Sequence, residues 1–87
     1  MRYKPEFAPE AVDDYRALHP RTKAMVRDGI EVHLRHQPTR TGRSRIKRLR
    51  GLARPQYRVR LGEVRVFYDV VESTVQILAI VEKSRAR

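Results

Sequence analysis

The chain has no cysteine and no tryptophan, and only two phenylalanines among its 87 residues. Without cysteine there is no disulfide framework, no thiolate metal site and no thiol nucleophile. No apolar run approaches the roughly 20 residues that cross a bilayer. The opening Met1-Arg2-Tyr3-Lys4-Pro5-Glu6 lacks the apolar stretch of a signal peptide. Repeats, low-complexity segments and linkers are absent too. The expectation is one cytoplasmic domain, residues 1–87, with a single modest core and no membrane partner.

Acidic residues are the remaining scarcity: 10 Asp and Glu stand against 20 Lys and Arg, for a net charge of +10. The excess is unevenly placed. Residues 40–65 hold ten basic side chains against Glu63 alone, a net of +9, whereas residues 1–39 carry +1 and residues 66–87 none. Such asymmetry points to a polyanion, most often nucleic acid. Solubility and an acidic protein partner are the competing explanations.

The basic segment ends in Tyr57-Arg58-Val59-Arg60-Leu61-Gly62-Glu63-Val64-Arg65-Val66-Phe67-Tyr68. Alternation on both sides of Gly62-Glu63 predicts a hairpin, and glycine at the first turn position suits a type II′ turn. Leu61 then pairs with Val64, Arg60 with Arg65, Val59 with Val66 and Arg58 with Phe67. One face is apolar; the other carries Arg58, Arg60, Arg65 and Phe67. Charges two residues apart on a strand, roughly 7 Å, repel by about 0.6 kcal/mol in water and about 2.4 kcal/mol at an effective dielectric near 20. That is a noticeable load on a domain with about 4–13 kcal/mol of stability. Either an anion offsets it, or the arginine stems splay apart in salt and solvent.

Upstream, Tyr3 to Phe7 reads as a short strand that Pro5 confines to an edge or an end. Pro9 opens a helix, with Ala11, Val12, Tyr15 and Leu18 facing a core, that breaks at His19-Pro20. A second helix fits Arg21 to about His36, with a stripe of Val26, Ile30 and Leu34, and ends at Gln37-Pro38. Gly29 inside it suggests close packing against the first helix. A basic loop spans residues 39–45, and Ile46 to Arg50 is a further plausible strand. After the hairpin, a turn at Val71 to Thr74 leads to Val75 to Val81, apolar on both faces as in an interior strand. The expected fold is α+β, β-α-α-β-β-β, a mostly antiparallel sheet with a two-helix hairpin on one face. The arginines then lie on the uncovered face, with Arg48 and Arg50 as candidates to join them.

The chain resembles the RelE/ParE superfamily of toxins from type II toxin–antitoxin systems. The residues that carry the resemblance are Tyr3-Lys4-Pro5-Glu6-Phe7 with Pro9-Glu10-Ala11, then Lys47-Arg48-Leu49-Arg50-Gly51-Leu52, the run Tyr57 to Val70, and Ile77 to Lys83. The match covers essentially the whole chain. It implies a compact RelE-like toxin neutralised by a cognate antitoxin, which together bind operator DNA. RelE-type members cut mRNA in the ribosomal A site and ParE-type members poison DNA gyrase; the shared fold does not choose between them. A catalytically weak homologue acting through antitoxin and operator is the third alternative. No cofactor is expected.

Cleavage of RNA by its own 2′-hydroxyl needs a base, positive charge on the phosphorane and an acid for the departing 5′-oxygen. The resemblance places Arg58, Arg60 and Arg65 on the active face, where arginine's donor fork matches phosphate oxygens. Relatives often carry lysine at the first two positions; arginine, with a pKa above about 12, is a much poorer proton donor. RelE-like toxins usually supply Arg, His or Tyr after the last strand. Here Lys83 or Arg85 is the basic candidate and Glu82 a candidate base. Lys47, Arg48, Arg50, Arg54 and Phe67 are candidate RNA contacts, Phe67 by stacking a base or else by packing under the arginine stems. His33 and His36, at i and i+3, have the spacing for a metal but no evident third ligand, and read first as helix surface.

Overall fold

The computed structural model describes residues 2–41, 45–51 and 53–83. The elements are β1 (Lys4–Phe7), α1 (Pro9–Arg16), α2 (Pro20–Gly29) running into a π-helical turn (Ile30–Leu34), β2 (Ile46–Arg48), β3 (Tyr57–Leu61), β4 (Val64–Val71) and β5 (Thr74–Glu82). The strands form one sheet in the order β1-β5-β4-β3-β2. All neighbours are antiparallel except β1, which lies parallel to β5. This is the expected α+β arrangement, with Ile46–Arg48 added as a short strand beyond the hairpin.

Each element follows from local chemistry. Pro5 has no N–H for a ladder, and it sits on the edge strand β1. Pro9 occupies the first turn of α1 behind an extended Ala8, whose N–H donates to the Ile77 carbonyl at 2.9 Å. Asp14 on α1 accepts from the Ile80 N–H at 3.0 Å, satisfying β5 beyond the point where its pairing with β1 ends. His19 caps α2: its Nδ1 accepts from the Arg21 N–H at 3.1 Å.

Val26, Ile30 and Leu34 form the buried stripe of the second helix, as their spacing predicts. The helix differs from expectation after Gly29, where it widens into the π-helical turn. Gly29 does pack closely, but against the sheet and not the first helix. A Cβ there would lie 2.6 Å from both Leu61 Cδ atoms. Leu61 points from the tip of β3 into the helix layer, so the small residue is required where hairpin meets helix.

The core lies between the helices and one sheet face. Val59, Leu61, Val64, Val66, Tyr68, Val75, Ile77 and Ile80 meet Ala11, Leu18, Val26, Ile30 and Leu34. Tyr68 is fully buried; its hydroxyl donates to the Pro38 carbonyl at 2.6 Å and its ring stacks on Tyr57 at 5.6 Å. Burial and the neighbouring Tyr57 raise its pKa well above the ordinary phenol range. Both tyrosines thus belong to the core side of the hairpin, as expected.

One irregularity decides what the other face carries. β4 pairs with β5 through Phe67 and Ala79, then through Tyr68 and Ile77, so Leu78 is an extra residue on β5. Such a bulge reverses the alternation beyond it. Val75 and Ile77 point to the core before the bulge and Ile80 after it, while Val81 is 44% exposed. Ala79 and Val81 therefore join the open face.

Candidate nucleic-acid interface

The hairpin has the register read from its alternation: Leu61 with Val64, Arg60 with Arg65, Val59 with Val66, Arg58 with Phe67 and Tyr57 with Tyr68. Gly62 has φ +62° and Glu63 keeps a negative φ, the pattern of a type II′ turn. Val59, Leu61, Val64 and Val66 are buried. Because directly paired residues share a face, Arg58, Arg60, Arg65 and Phe67 lie together on the side away from the helices.

The neighbouring strands complete this face. β2 pairs Ile46 with Val59, Lys47 with Arg58 and Arg48 with Tyr57. Ile46 must enter the core, which puts Lys47 with the arginines and sends Arg48 to the opposite side. There Arg48 Nη1 donates to the Tyr57 hydroxyl at 3.1 Å, and its guanidinium lies 5.1 Å from the Tyr57 ring centre. Of the candidates to extend the arginine row, Arg48 is thus placed elsewhere by strand parity and Lys47 takes its position. Arg50 follows the end of β2 and is exposed. On the other flank β5 sets Val81 opposite Arg65 and Ala79 opposite Phe67. The face is cationic over β2, β3 and β4 and apolar over β5.

Electrostatics within the row are unfavourable in the isolated chain. The Nε donors of Arg58 and Arg65 are buried and, among the described residues, have no hydrogen-bond partner. Burial, and then the charges of Arg65 and Arg60, hold the Arg58 guanidinium below its ordinary range. An arginine does not lose its proton for this. The observation instead marks strong positive potential and donors lacking acceptors.

Arg54 is placed differently. Its Nε donates to Asp69 Oδ2 at 2.8 Å, while the other Asp69 oxygen accepts from the Gln56 N–H at 2.7 Å. Gln56 Oε1 in turn accepts from the Val70 N–H at 3.0 Å. Asp69 is 4% exposed, the buried acid of an otherwise basic region, and it anchors the loop between β2 and β3. The Arg54 side chain remains 63% exposed. Asp69 was not singled out from sequence, although an acid inside the apolar run Val64–Val71 is a signal that finds it.

The acid–base candidates stand at the end of β5. Glu82 is its last residue and pairs with the buried Val64, which turns it to the helix side of the sheet and away from the arginines. The Lys83 N–H, by contrast, donates to the Glu63 carbonyl at 2.7 Å, beside the hairpin turn. Arg85 lies outside the described residues. No imidazole or phenol of the described residues projects from the strands onto the arginine face: the tyrosines of β3 and β4 are on the core side, and all three histidines belong to the helix layer or its flanks. No group of three or more His, Asp or Glu among the described residues is placed to hold a metal, and no helix is long and apolar enough to cross a membrane.

Among solved structures, a chain of a RelBE toxin–antitoxin complex from Mycobacterium tuberculosis is similar at a TM-score of 0.82 and 27% identity, over 94% of this chain and 99% of that one. A chain of the RelE–RelB complex of Pyrococcus horikoshii matches at 0.76 and 24% identity, over 99% and 100%. A chain of the Escherichia coli RelBE complex matches at 0.59 and 15% identity, over 92% and 95%. These last two similarities are of fold alone. No family model and no curated protein matches the chain. The fold is thus RelE-like, and the chain is similar at 27% identity to a chain of a RelBE toxin–antitoxin complex.

Proposed function

We propose that this chain is the toxin of a type II toxin–antitoxin pair, and that its arginine face grips RNA phosphate during ribosome-dependent cleavage of mRNA in the A site. The observation that carries the reading is the clustering of Arg58, Arg60 and Arg65 on one uncovered face, with two buried Nε donors that have no acceptor among the described residues. Phosphate oxygens supply both the acceptors and the counter-charge. Guanidinium forks on the non-bridging oxygens stabilise charge that grows as the 2′-oxygen attacks, and an arrangement fixed by two paired strands needs little reorganisation to do so.

Proton transfer falls to groups outside the row, since arginine is a poor proton donor. Lys83, which follows β5 at the hairpin end of the sheet, is the described candidate, and Arg85 is a second; Glu82, paired with Val64, is turned to the other side of the sheet. The similar chains were solved in complexes of RelE with RelB, which supports a cognate antitoxin as partner. A face that is cationic on three strands and apolar on β5 suits an antitoxin segment carrying acidic and apolar residues. Operator DNA is then reached through the toxin–antitoxin complex.

In vitro translation followed by primer extension tests the reading. Cuts in the A site, absent when antitoxin is added, are expected; intact mRNA in the absence of antitoxin overturns it. The lack of an imidazole or phenol on the strands of the arginine face favours a second reading, ParE-like inhibition of DNA gyrase. Loss of supercoiling activity with intact mRNA selects that one.

A further inference from the structure

His33 and His36 take no part in the arginine face. With Gln37, Arg40 and Thr41 they line a cleft of about 360 Å³ whose apolar walls are Val32 and Ile46. We infer that this cleft is a second anion site, built to take a phosphate group.

The cleft gathers two imidazoles and a guanidinium, and Arg45 is close enough to act electrostatically on His33. Its lining, among the described residues, contains no carboxylate. Glu31, two residues before His33, is committed to Arg35 at 2.7 Å. The end of a helix ordinarily favours cations through its free carbonyls, but here several carbonyls at and just beyond the helix end are occupied. The His33 carbonyl accepts from the Gln37 N–H, Arg35's from the Tyr3 N–H, Gln37's from the Arg40 N–H and Pro38's from the Tyr68 hydroxyl.

Donor geometry narrows the ligand. Gln37 Oε1 accepts from Arg40 Nη1 at 2.9 Å, which holds the guanidinium among the lining residues. Two imidazoles, a guanidinium and the Thr41 hydroxyl lining one cleft offer several donors, suited to a compact group with several acceptor oxygens. A divalent metal is a poor alternative: the imidazoles have Arg40 and Arg45 near them and, among the described residues, no third His, Asp or Glu.

Binding is coupled to protonation. His33 is held below the ordinary imidazole range by burial first and by Arg45 second. The charged or titratable groups facing it are His36 and Arg40 from the helix end and its following turn, and Arg45 from the segment entering β2, whose Ile46 brings no charge. An anion opposes both causes of the depression, so phosphate is taken up with a proton and affinity rises as pH falls.

The test is NMR titration of the histidine ring C–H signals of the whole chain, in inorganic phosphate and in chloride at equal ionic strength. The expected result is an upward move of the His33 midpoint in phosphate, with shifts at His36 and none at His19, which caps the far end of the helix. Arg40→Gln, a change at an exposed position, should weaken the phosphate response about tenfold and leave the fold intact. Identical titrations in the two salts, or an undiminished response in a folded Arg40→Gln chain, overturn the site. A short single-stranded RNA, added to an Arg65→Glu chain to suppress the arginine face, separates the sources. Movement of His33 assigns the site to nucleic-acid phosphodiesters; no movement with RNA but movement with inorganic phosphate assigns it to a free phosphate. Silence toward both overturns the proposal.

Discussion

Arg65 and His33 show how the same physics serves two different side chains. Arg65 shares its face with Arg58 and Arg60, and its buried Nε has no acceptor among the described residues, so a ligand phosphate removes both problems at once. Arg65→Glu reverses one charge at a position whose backbone pairing does not depend on the side chain. The expected outcome is a folded protein, by circular dichroism, that neither binds RNA nor arrests growth; a folded and fully toxic variant would falsify the site assignment. For His33 the sign runs through linkage. Its folded pKa lies below the ordinary 6.5 because of burial and Arg45. The unfolded chain therefore binds the proton more tightly, and stability present above pH 6.5 is lost as pH falls through the folded value. Urea titrations at pH 7.5 and pH 5 should show that loss, and His33→Gln should make it smaller.

Between elements, three junctions hold the face in place. Gly29 lets Leu61 reach into the helix layer. Gly29→Ala gains helix propensity of up to about 1 kcal/mol, but forces Leu61 aside, where overpacking costs about 1–3 kcal/mol. A net destabilisation of about 1 kcal/mol is expected by urea unfolding, and trimming the neighbour in Gly29→Ala/Leu61→Val should recover most of it. Asp69 ties Arg54 and Gln56 to β4 with both carboxylate oxygens. Asp69→Ala strands the Gln56 N–H and releases Arg54, a loss of about 1–3 kcal/mol, with the loop between β2 and β3 becoming the first part to exchange its amide protons. The bulge at Leu78 is the third. It turns Ala79 and Val81 toward the arginines and returns Ile80 to the core.

For the molecule as a whole, the +9 held by residues 40–65 is divided between surfaces. Arg58, Arg60, Arg65 and Lys47 share the open sheet face, Arg48 covers Tyr57 on the other side, and Arg40 lines the histidine cleft. If the four residues of the open face each neutralise one phosphate, the log–log slope of RNA affinity against salt should be near −3. Filter binding over a series of salt concentrations measures it, and a slope near zero would show that the face does not bind through phosphate.

Alternation by itself determined the hairpin, its register and its turn, because one apolar face excludes every register shifted by a single residue. The same reasoning reached the edge position of Pro5, the buried stripe Val26, Ile30 and Leu34, and the arginine face. Other features depend on distant partners. Gly29 gave a signal of close approach, but only the tertiary structure identified Leu61 as the neighbour. Arg48 and Lys47 are chemically alike, and the burial of Ile46 opposite Val59 decided which one joins the arginines. The bulge that exposes Val81 leaves no mark in a run that is apolar throughout. The histidines read as helix surface from their spacing, and only the tertiary structure sets them in one cleft with Arg40 and Ile46. Local pattern sets which face a residue takes within its own element; which faces then meet is settled by packing across the chain.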